Sequence, residues 1–156
     1  MRISSPAFRD GEHIPQQYSR YGDDKSPPLR IEGVPINAKS LVLIVDDPDA
    51  PRGTFTHWIV FDLDPKTTGI DEDHVPDNGR QGANDWGETQ YGGPRPPSGE
   101  HRYFFRLYAL NTKLNLPRGS DRERVENAME SHVIAEAELM GRYAAPKEQP
   151  ATADRR

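Results

Sequence analysis

An unbroken apolar run, Leu41-Val42-Leu43-Ile44-Val45, stops at Asp46-Asp47-Pro48. Five successive aliphatic or β-branched residues closed by a proline predict a short β-strand that is buried on both faces. Two further blocks of strand-forming residues follow at 55–61 and 102–110. Because these apolar residues are concentrated in short blocks between Pro- and Gly-rich segments, the chain is predicted to be a mainly β domain.

Alternation along the second and third blocks predicts which side chains share a face. In the second block it groups His57 with Ile59 and Phe61, and it places Trp58 on the opposite face. In the third block it places Tyr103 on the same face as Phe105, Leu107 and Ala109, opposite Arg102, Phe104, Arg106 and Tyr108. Weaker strands are predicted at 1–4 and 29–32.

One helix is predicted near the C-terminal end. Ser120 and Glu123 have the spacing of a capping box, with Ser120 as N-cap. An apolar stripe at helical spacing continues from there to residue 143, with Gly141 as a C-terminal capping residue. Residues 64–100 show no periodic pattern and are predicted to form a long loop region over the sheet. The domain is expected to span 1–145, followed by a disordered tail at 146–156.

Composition excludes several classes of function. The 156 residues include 20 Lys and Arg against 25 Asp and Glu, a net charge of −5, which argues against a nucleic-acid or anionic-membrane surface. There is no cysteine, so disulfides, thiolate metal sites and cysteine nucleophiles are excluded. No apolar run approaches the length of a membrane span, and no apolar export-signal region follows Met1, so a cytoplasmic location is expected.

Polar residues stand at the ends of the predicted strands. Asp47 and Asp49 are two residues apart, so in an extended chain their carboxylates would point the same way. His57 lies within the second strand, and His101 and Tyr103 share a face at the start of the third. Neighbouring strands would bring all five to one edge of the sheet. Carboxylates beside imidazoles favour the protonated histidine, so we expect both histidines and the tyrosine to donate hydrogen bonds to a small anion.

Other chemistry remains open on the same residues. Two aspartates and two histidines could ligate a divalent metal, and paired carboxylates could support acid–base hydrolysis. The sequence contains no Gly-x-Ser-x-Gly motif, phosphate-binding loop or dinucleotide fingerprint, so neither a serine nucleophile nor a cofactor is predicted. A binding protein without catalytic residues and without a bound metal is the preferred interpretation, and a hydrolase, metal-dependent or not, is the alternative.

Three segments together resemble the signature of the phosphatidylethanolamine-binding protein family, in its bacterial and archaeal Raf-kinase-inhibitor-like branch. They are Asp47-Pro48-Asp49-Ala50-Pro51, Thr56-His57-Trp58, and Tyr91-Gly92-Gly93-Pro94 followed by residues 96–103. The resemblance implies antiparallel sheets with Greek-key topology, peripheral helices and an anion pocket at one end. The pocket residues that it implies are Asp47, Asp49, His57, Gly93, Pro94, His101 and Tyr103.

The resemblance carries further expectations. It implies a phosphate-containing small molecule or head group as ligand, and it suggests a homodimer and a kinase or protease partner. Pro48 and Pro51 become candidates for cis peptide bonds. Arg95 departs from the animal members, which carry proline there, and it would add positive charge to the pocket if it faced inward. The animal members that regulate kinases also have a different C-terminal helix, so the resemblance gives little ground for expecting kinase inhibition by this chain.

Overall fold

Two antiparallel β-sheets pack face to face in the computed structural model, which describes residues 1–146. The elements, in chain order, are β1 (Arg2–Ser4), a 3₁₀ turn (Gln16–Tyr18), β2 (Leu29–Glu32), β3 (Ser40–Asp47), β4 (Phe55–Leu63), β5 (Gly69–Ile70), β6 (Arg80–Gln81), β7 (Glu100–Leu110), α1 (Arg122–Met129) and β8 (Val133–Ala144). The smaller sheet has the order β1-β2-β5 and the larger one β6-β4-β3-β7-β8. The predicted mainly β class with antiparallel sheets is confirmed.

Strand β3 lies at the centre of the larger sheet, between β4 and β7, and each of its eight residues is buried. Leu41, Leu43 and Val45 face the smaller sheet and form the main core with it. Val42 and Ile44 face the other way, into a second core that α1 covers. The strand is therefore buried on both faces, as its unbroken apolar composition predicted.

The predicted long C-terminal helix is wrong in both its start and its extent. Helix α1 begins after Asp121, whose carboxylate accepts a hydrogen bond from the backbone N–H of Arg124, so Asp121 and not Ser120 is the N-cap. The helix ends at Met129, and Ser131 turns the chain with a left-handed φ of 69°. Gly141 is then part of strand β8, where a β-carbon would lie only 2.4 Å from a side-chain carbon of Ile14.

Strand β8 pairs with β7 along its whole length. Leu139 and Tyr143 face the main core, whereas Glu136 and Glu138 are exposed. The segment from 135 to 143 thus alternates with a period of two, although Ala, Glu, Leu and Met are strong helix formers. Pairing with β7 overrides that local preference because it buries one complete face of the segment.

Residues 64–99 are mostly loop, interrupted by β5, which joins the smaller sheet, and by β6, which joins the larger one. The backbone N–H groups of Gly82 and Gly92 donate to the carbonyls of Ile59 and His57, which fixes the loop along β4. Residues 147–156, nearly all of the predicted disordered tail, lie outside the described residues. No helix within residues 1–146 is long and apolar enough to span a membrane.

Candidate functional site

A buried carboxylate–imidazole pair joins the end of β3 to the start of β7. The Oδ2 atom of Asp47 lies 2.7 Å from Nδ1 of His101, and both residues are buried. The other oxygen of Asp47 accepts the backbone N–H of Asp49 at 2.8 Å. Burial raises the pKa of Asp47, and the hydrogen bond from His101 acts in the opposite direction. Asp47 therefore fixes the imidazole of His101 and leaves its Nε2 for another partner.

A β-bulge in β4 decides where His57 points. Trp58 pairs with Val45 and Thr56 pairs with Asp46, so His57 is the extra residue between two successive pairs. Its ring consequently lies on the side of Tyr103, with 5.2 Å between the ring centroids. Strict alternation grouped His57 with Ile59 and Phe61, which face the second core instead. That facial assignment is wrong, because a bulge shifts the alternation by one residue.

The imidazole of His57 is neutral. Its Nδ1 lies 2.7 Å from the carbonyl oxygen of Gly92, which can only accept, so Nδ1 carries the hydrogen. Burial lowers the pKa of His57 to about 4. The expectation that His57 is a protonated donor is thus wrong, because the loss of hydration outweighs the hydrogen bonds to Gly92 and Gly93 and the charge of Asp46, which favour the protonated ring. Its Nε2 is buried and has no hydrogen-bond partner within residues 1–146.

Tyr103 places a phenol beside both histidines. Its ring lies 6.5 Å from that of His101 and 5.2 Å from that of His57, measured between centroids. Burial, followed by the charge of Asp47, raises the pKa of Tyr103, so the hydroxyl keeps its proton. The hydroxyl oxygen is buried and forms no well-aligned hydrogen bond in the described part of the chain, although the Asp47 carboxylate and the backbone N–H of Arg95 lie close enough to influence its pKa. We refer to Asp47, His57, His101 and Tyr103 together as the polar cluster.

Asp49 lies near the polar cluster but holds neither histidine. Its carboxylate accepts three hydrogen bonds from Arg102, two from the guanidinium and one from the backbone N–H. The hydrogen bond from the guanidinium lowers the pKa of Asp49 to about 2. The expected parallel orientation of the two aspartates fails because β3 ends at Asp47, and the alternation of an extended strand ends there too.

The prolines of the same segment are in the trans form. No peptide bond among residues 1–146 is cis, so neither Pro48 nor Pro51, the two candidates for a cis bond, has one. Trans is the lower-energy form even for a bond that precedes proline. The turn after β3 is closed instead by the side chain of Asp47, which accepts the backbone N–H of Asp49.

Gly93 and Pro94 form a tightly packed wall beside the polar cluster. A β-carbon on Gly93 would lie 2.2 Å from the carbonyl oxygen of Tyr18, so only glycine fits this close approach. The N–H of Gly93 donates to Asp24 at 2.7 Å, and the carbonyl of Pro94 accepts from the backbone N–H of Arg20 at 3.0 Å. This wall is positioned by the segment 18–24, which the sequence reasoning did not connect with the site.

Arg95 turns toward the protein. Its guanidinium carbon lies 5.8 Å from the ring centroid of Tyr21, and its Nε is buried without a hydrogen-bond partner among the described residues. Burial raises the pKa of Asp24, and the positive charge of Arg95 acts in the opposite direction. The arginine that departs from the animal members therefore places its positive charge on the inner side of the Gly/Pro segment.

Aromatic rings from the long loop complete the surroundings of His57. Trp86 lies 5.0 Å from His57 and 4.7 Å from Phe55, measured between ring centroids. The guanidinium of Arg20 lies 3.7 Å from the Trp86 ring centroid and pairs with Glu88. The sequence reasoning missed Trp86, because it stands in a segment without periodicity. A turn is indicated at Asn84-Asp85-Trp86-Gly87, but this local pattern gives no information on the tertiary contacts of Trp86.

The polar cluster therefore offers two donors and one acceptor. His101 is held by Asp47 through Nδ1 and donates from Nε2 when its ring is protonated, the Tyr103 hydroxyl donates, and Nε2 of His57 accepts. Within residues 1–146, no group of three or more His, Asp or Glu side chains is arranged to hold a metal ion. An arrangement with two donors suits an oxygen-bearing anion.

Comparison with known proteins gives consistent results. The family model described as phosphatidylethanolamine-binding protein matches residues 4–144. A UPF0098 protein of Methanothermobacter thermautotrophicus is 52% identical over 149 residues, covering 92% of this chain and 98% of the relative. A crystal structure from Chlamydia trachomatis, described as a homolog of phosphatidylethanolamine-binding protein, has a TM-score of 0.89 at 43% identity, covering 93% of this chain and 97% of that one. Escherichia coli YbcL, described as a new member of the mammalian family, has a TM-score of 0.87 at 30% identity, covering 93% and 98%.

Proposed function

The chain belongs to the phosphatidylethanolamine-binding protein family, and from this premise we propose that its polar cluster binds a small oxyanion without catalysing a reaction. The ligand class is phosphate or a phosphorylated head group. One observation carries the proposal: the buried Asp47–His101 pair stands beside two buried polar atoms, on His57 and Tyr103, that lack partners within residues 1–146.

Unpaired buried polar atoms are costly, which is why they point to a ligand. Each such atom typically costs about 1–3 kcal/mol unless water or a ligand supplies a hydrogen bond. The Tyr103 hydroxyl and Nε2 of His57 lie on neighbouring rings, so a single bound group can serve both. An oxyanion with several oxygens could at the same time accept a charge-assisted hydrogen bond from His101.

The hydrolase alternative has less support from the geometry. The Asp47–His101 pair resembles the orienting half of a catalytic triad, in which a carboxylate holds the imidazole. However, the hydrogen bonds of His57 and His101 within residues 1–146 include none to a serine or threonine hydroxyl. A binding role therefore accounts for the contacts without a nucleophile. A homodimer, a kinase or protease partner and a cytoplasmic location stay predictions.

Isothermal titration calorimetry with inorganic phosphate and with O-phosphoethanolamine tests the proposal. We expect the wild type to bind at least one of them, and His101→Ala to weaken binding by about tenfold or more, since a hydrogen bond to a charged group contributes about 1.5–3 kcal/mol. His101→Gln, which keeps an amide donor for Asp47, separates ligand binding from folding. His132→Ala is the matched control, because His132 contacts Asn111 just beyond the opposite end of β7.

Two outcomes would overturn the proposal. Unchanged affinity in both His101 variants would show that the polar cluster is not the site. Hydrolysis of p-nitrophenyl phosphate by the wild type that is abolished in His101→Gln would show that the site is catalytic.

A further inference from the structure

The two unpartnered atoms of the polar cluster are of opposite hydrogen-bonding type. Nε2 of His57 has a free lone pair and no hydrogen, because Nδ1 donates to the carbonyl of Gly92 at 2.7 Å and the ring is neutral. The Tyr103 oxygen carries a hydrogen to donate. Both atoms are buried and unpaired among the described residues, on rings whose centroids are 5.2 Å apart.

The tautomer of His57 is fixed by its surroundings. Gly92 accepts from Nδ1 of His57 and also donates its own N–H to the carbonyl of His57 at 3.0 Å, so the two residues hold each other at two points. Within the polar cluster, Nε2 of His57 is thus a fixed acceptor.

One hydroxyl group would satisfy both atoms. Its oxygen accepts from Tyr103, and its hydrogen is donated to Nε2 of His57. We propose that this site selects oxyanions that keep a proton on one oxygen, such as hydrogen phosphates or monoanionic phosphate monoesters, over oxyanions that carry none. This inference rests on the proposed function, and it names the ionic form that the same site prefers.

Charge alone would give the opposite preference. When His101 is protonated, its charge attracts a dianion more strongly than a monoanion. A fully deprotonated oxygen, however, would place its lone pairs against the lone pair of His57 and against the nearby carboxylate of Asp47. Sites built to exchange a hydrogen bond with a hydroxyl discriminate strongly against ligands that lack it.

Phosphate and sulfate provide a matched comparison. At about pH 6 inorganic phosphate is largely the monoanion with P–O–H groups, whereas sulfate of the same shape carries no proton. Titrations of both ligands into the intact protein at one pH and one ionic strength keep His101 in the same state. We expect phosphate to bind at least about tenfold more tightly than sulfate.

His57→Gln tests whether His57 causes the preference. The amide of glutamine can donate as well as accept, so we expect the ratio of the two affinities to fall by about tenfold. His132→Gln is the matched control and should keep the wild-type ratio. A second measurement does not depend on the folding of the variant: long-range ¹H–¹⁵N spectroscopy follows the imidazole nitrogens of the wild type, and phosphate but not sulfate should shift the Nε2 signal of His57.

The outcomes separate this inference from the proposed function. If neither of these anions nor O-phosphoethanolamine binds, the proposed function itself fails. If both bind equally tightly to the wild type, the site is an oxyanion site but the selection for a protonated oxygen is wrong. His57 does not recognise the ligand if the ratio of phosphate to sulfate affinity is unchanged in a folded His57→Gln variant. The same conclusion follows if phosphate does not shift the Nε2 signal of His57.

Discussion

Replacing His57 with glutamine should remove a defined part of the acid sensitivity of folding. The pKa of His57 is about 4 in the folded chain, against an ordinary value of 6.5, because burial of the ring outweighs the groups that favour its protonated form. As the pH falls below 6.5, the unfolded chain binds a proton that the folded chain does not. The contribution of His57 to stability is therefore complete above pH 6.5, falls as the pH decreases, and is lost below pH 4.

The magnitude follows from the size of the pKa shift. One pKa unit corresponds to about 1.4 kcal/mol, so the full loss from this shift is roughly 3 kcal/mol. From about pH 7 to about pH 5, the wild type should lose about 2 kcal/mol of stability through His57 alone, which is more than half of the full loss. Other groups titrate over the same range, including Asp47, whose raised pKa acts in the opposite direction. Their contributions are common to both proteins and cancel in the comparison.

Urea denaturation at a series of pH values measures the effect. His57→Gln will have its own offset in stability, so the quantity to compare is the change in unfolding free energy between the two pH values. We expect this change to be about 2 kcal/mol smaller in the variant than in the wild type. His132→Gln, a change at a half-buried histidine away from the polar cluster, should retain the wild-type slope. Equal pH dependence in wild type and His57→Gln would refute a neutral, buried His57.

Two further predictions concern the stability of the fold after substitution of Gly93, beside the polar cluster, and of Asp46, next to Asp47. Gly93→Ala should destabilise the fold by about 2 kcal/mol or more, because the new β-carbon would lie 2.2 Å from the backbone oxygen of Tyr18; thermal unfolding measures the loss. Asp46→Asn should cost about 3 kcal/mol in urea denaturation, because its buried carboxylate forms ion pairs with Arg106 and Arg122, which would both lose their charge partner.

Matched substitutions give each prediction its control. Gly87→Ala adds a β-carbon in open space, at a φ of 77°, so it should cost only the backbone strain of about 1 kcal/mol. Equal losses for Gly87→Ala and Gly93→Ala would show that the close approach at Gly93 is unimportant. Asp49→Asn removes a carboxylate from an ion pair with exposed Arg102 and should cost much less than Asp46→Asn. A comparable loss would contradict the assigned burial.

The sequence predicted the strands well because their signals are local. The apolar run 41–45 predicts a strand that is buried on both faces, and it forms the centre of the fully buried β3. The alternation of 102–110 also held, so that Tyr103 faces the main core and Arg102 is exposed. The prediction failed over 133–143, where alternation was present but was outweighed by strong helix formers. Only the pairing partner, β7, resolves that conflict.

In the candidate site too, the sequence predicted what depends on strand ends and missed what depends on tertiary contacts. The sequence was sufficient to place Asp47 and His101 near each other, since each stands at the end of an apolar strand and neighbouring antiparallel strands align such ends. It could not predict that Asp49 pairs with Arg102, because the strand ends before Asp49. Nor could it predict Trp86 beside His57, a contact between residues far apart in a chain segment without periodicity.

By itself, the sequence determined β1 to β4 and β7 and the polar residues at the ends of β3 and β7, because periodicity and composition act over a few neighbouring residues. Tertiary structure alone decided the face and the charge of His57. A single extra residue in the pairing of β4 with β3 turned the ring toward Tyr103. Packing from Phe55 and Trp86 then excluded water from the ring and left it neutral. Strand register and desolvation depend on partners distant in the chain, and no local pattern encodes them.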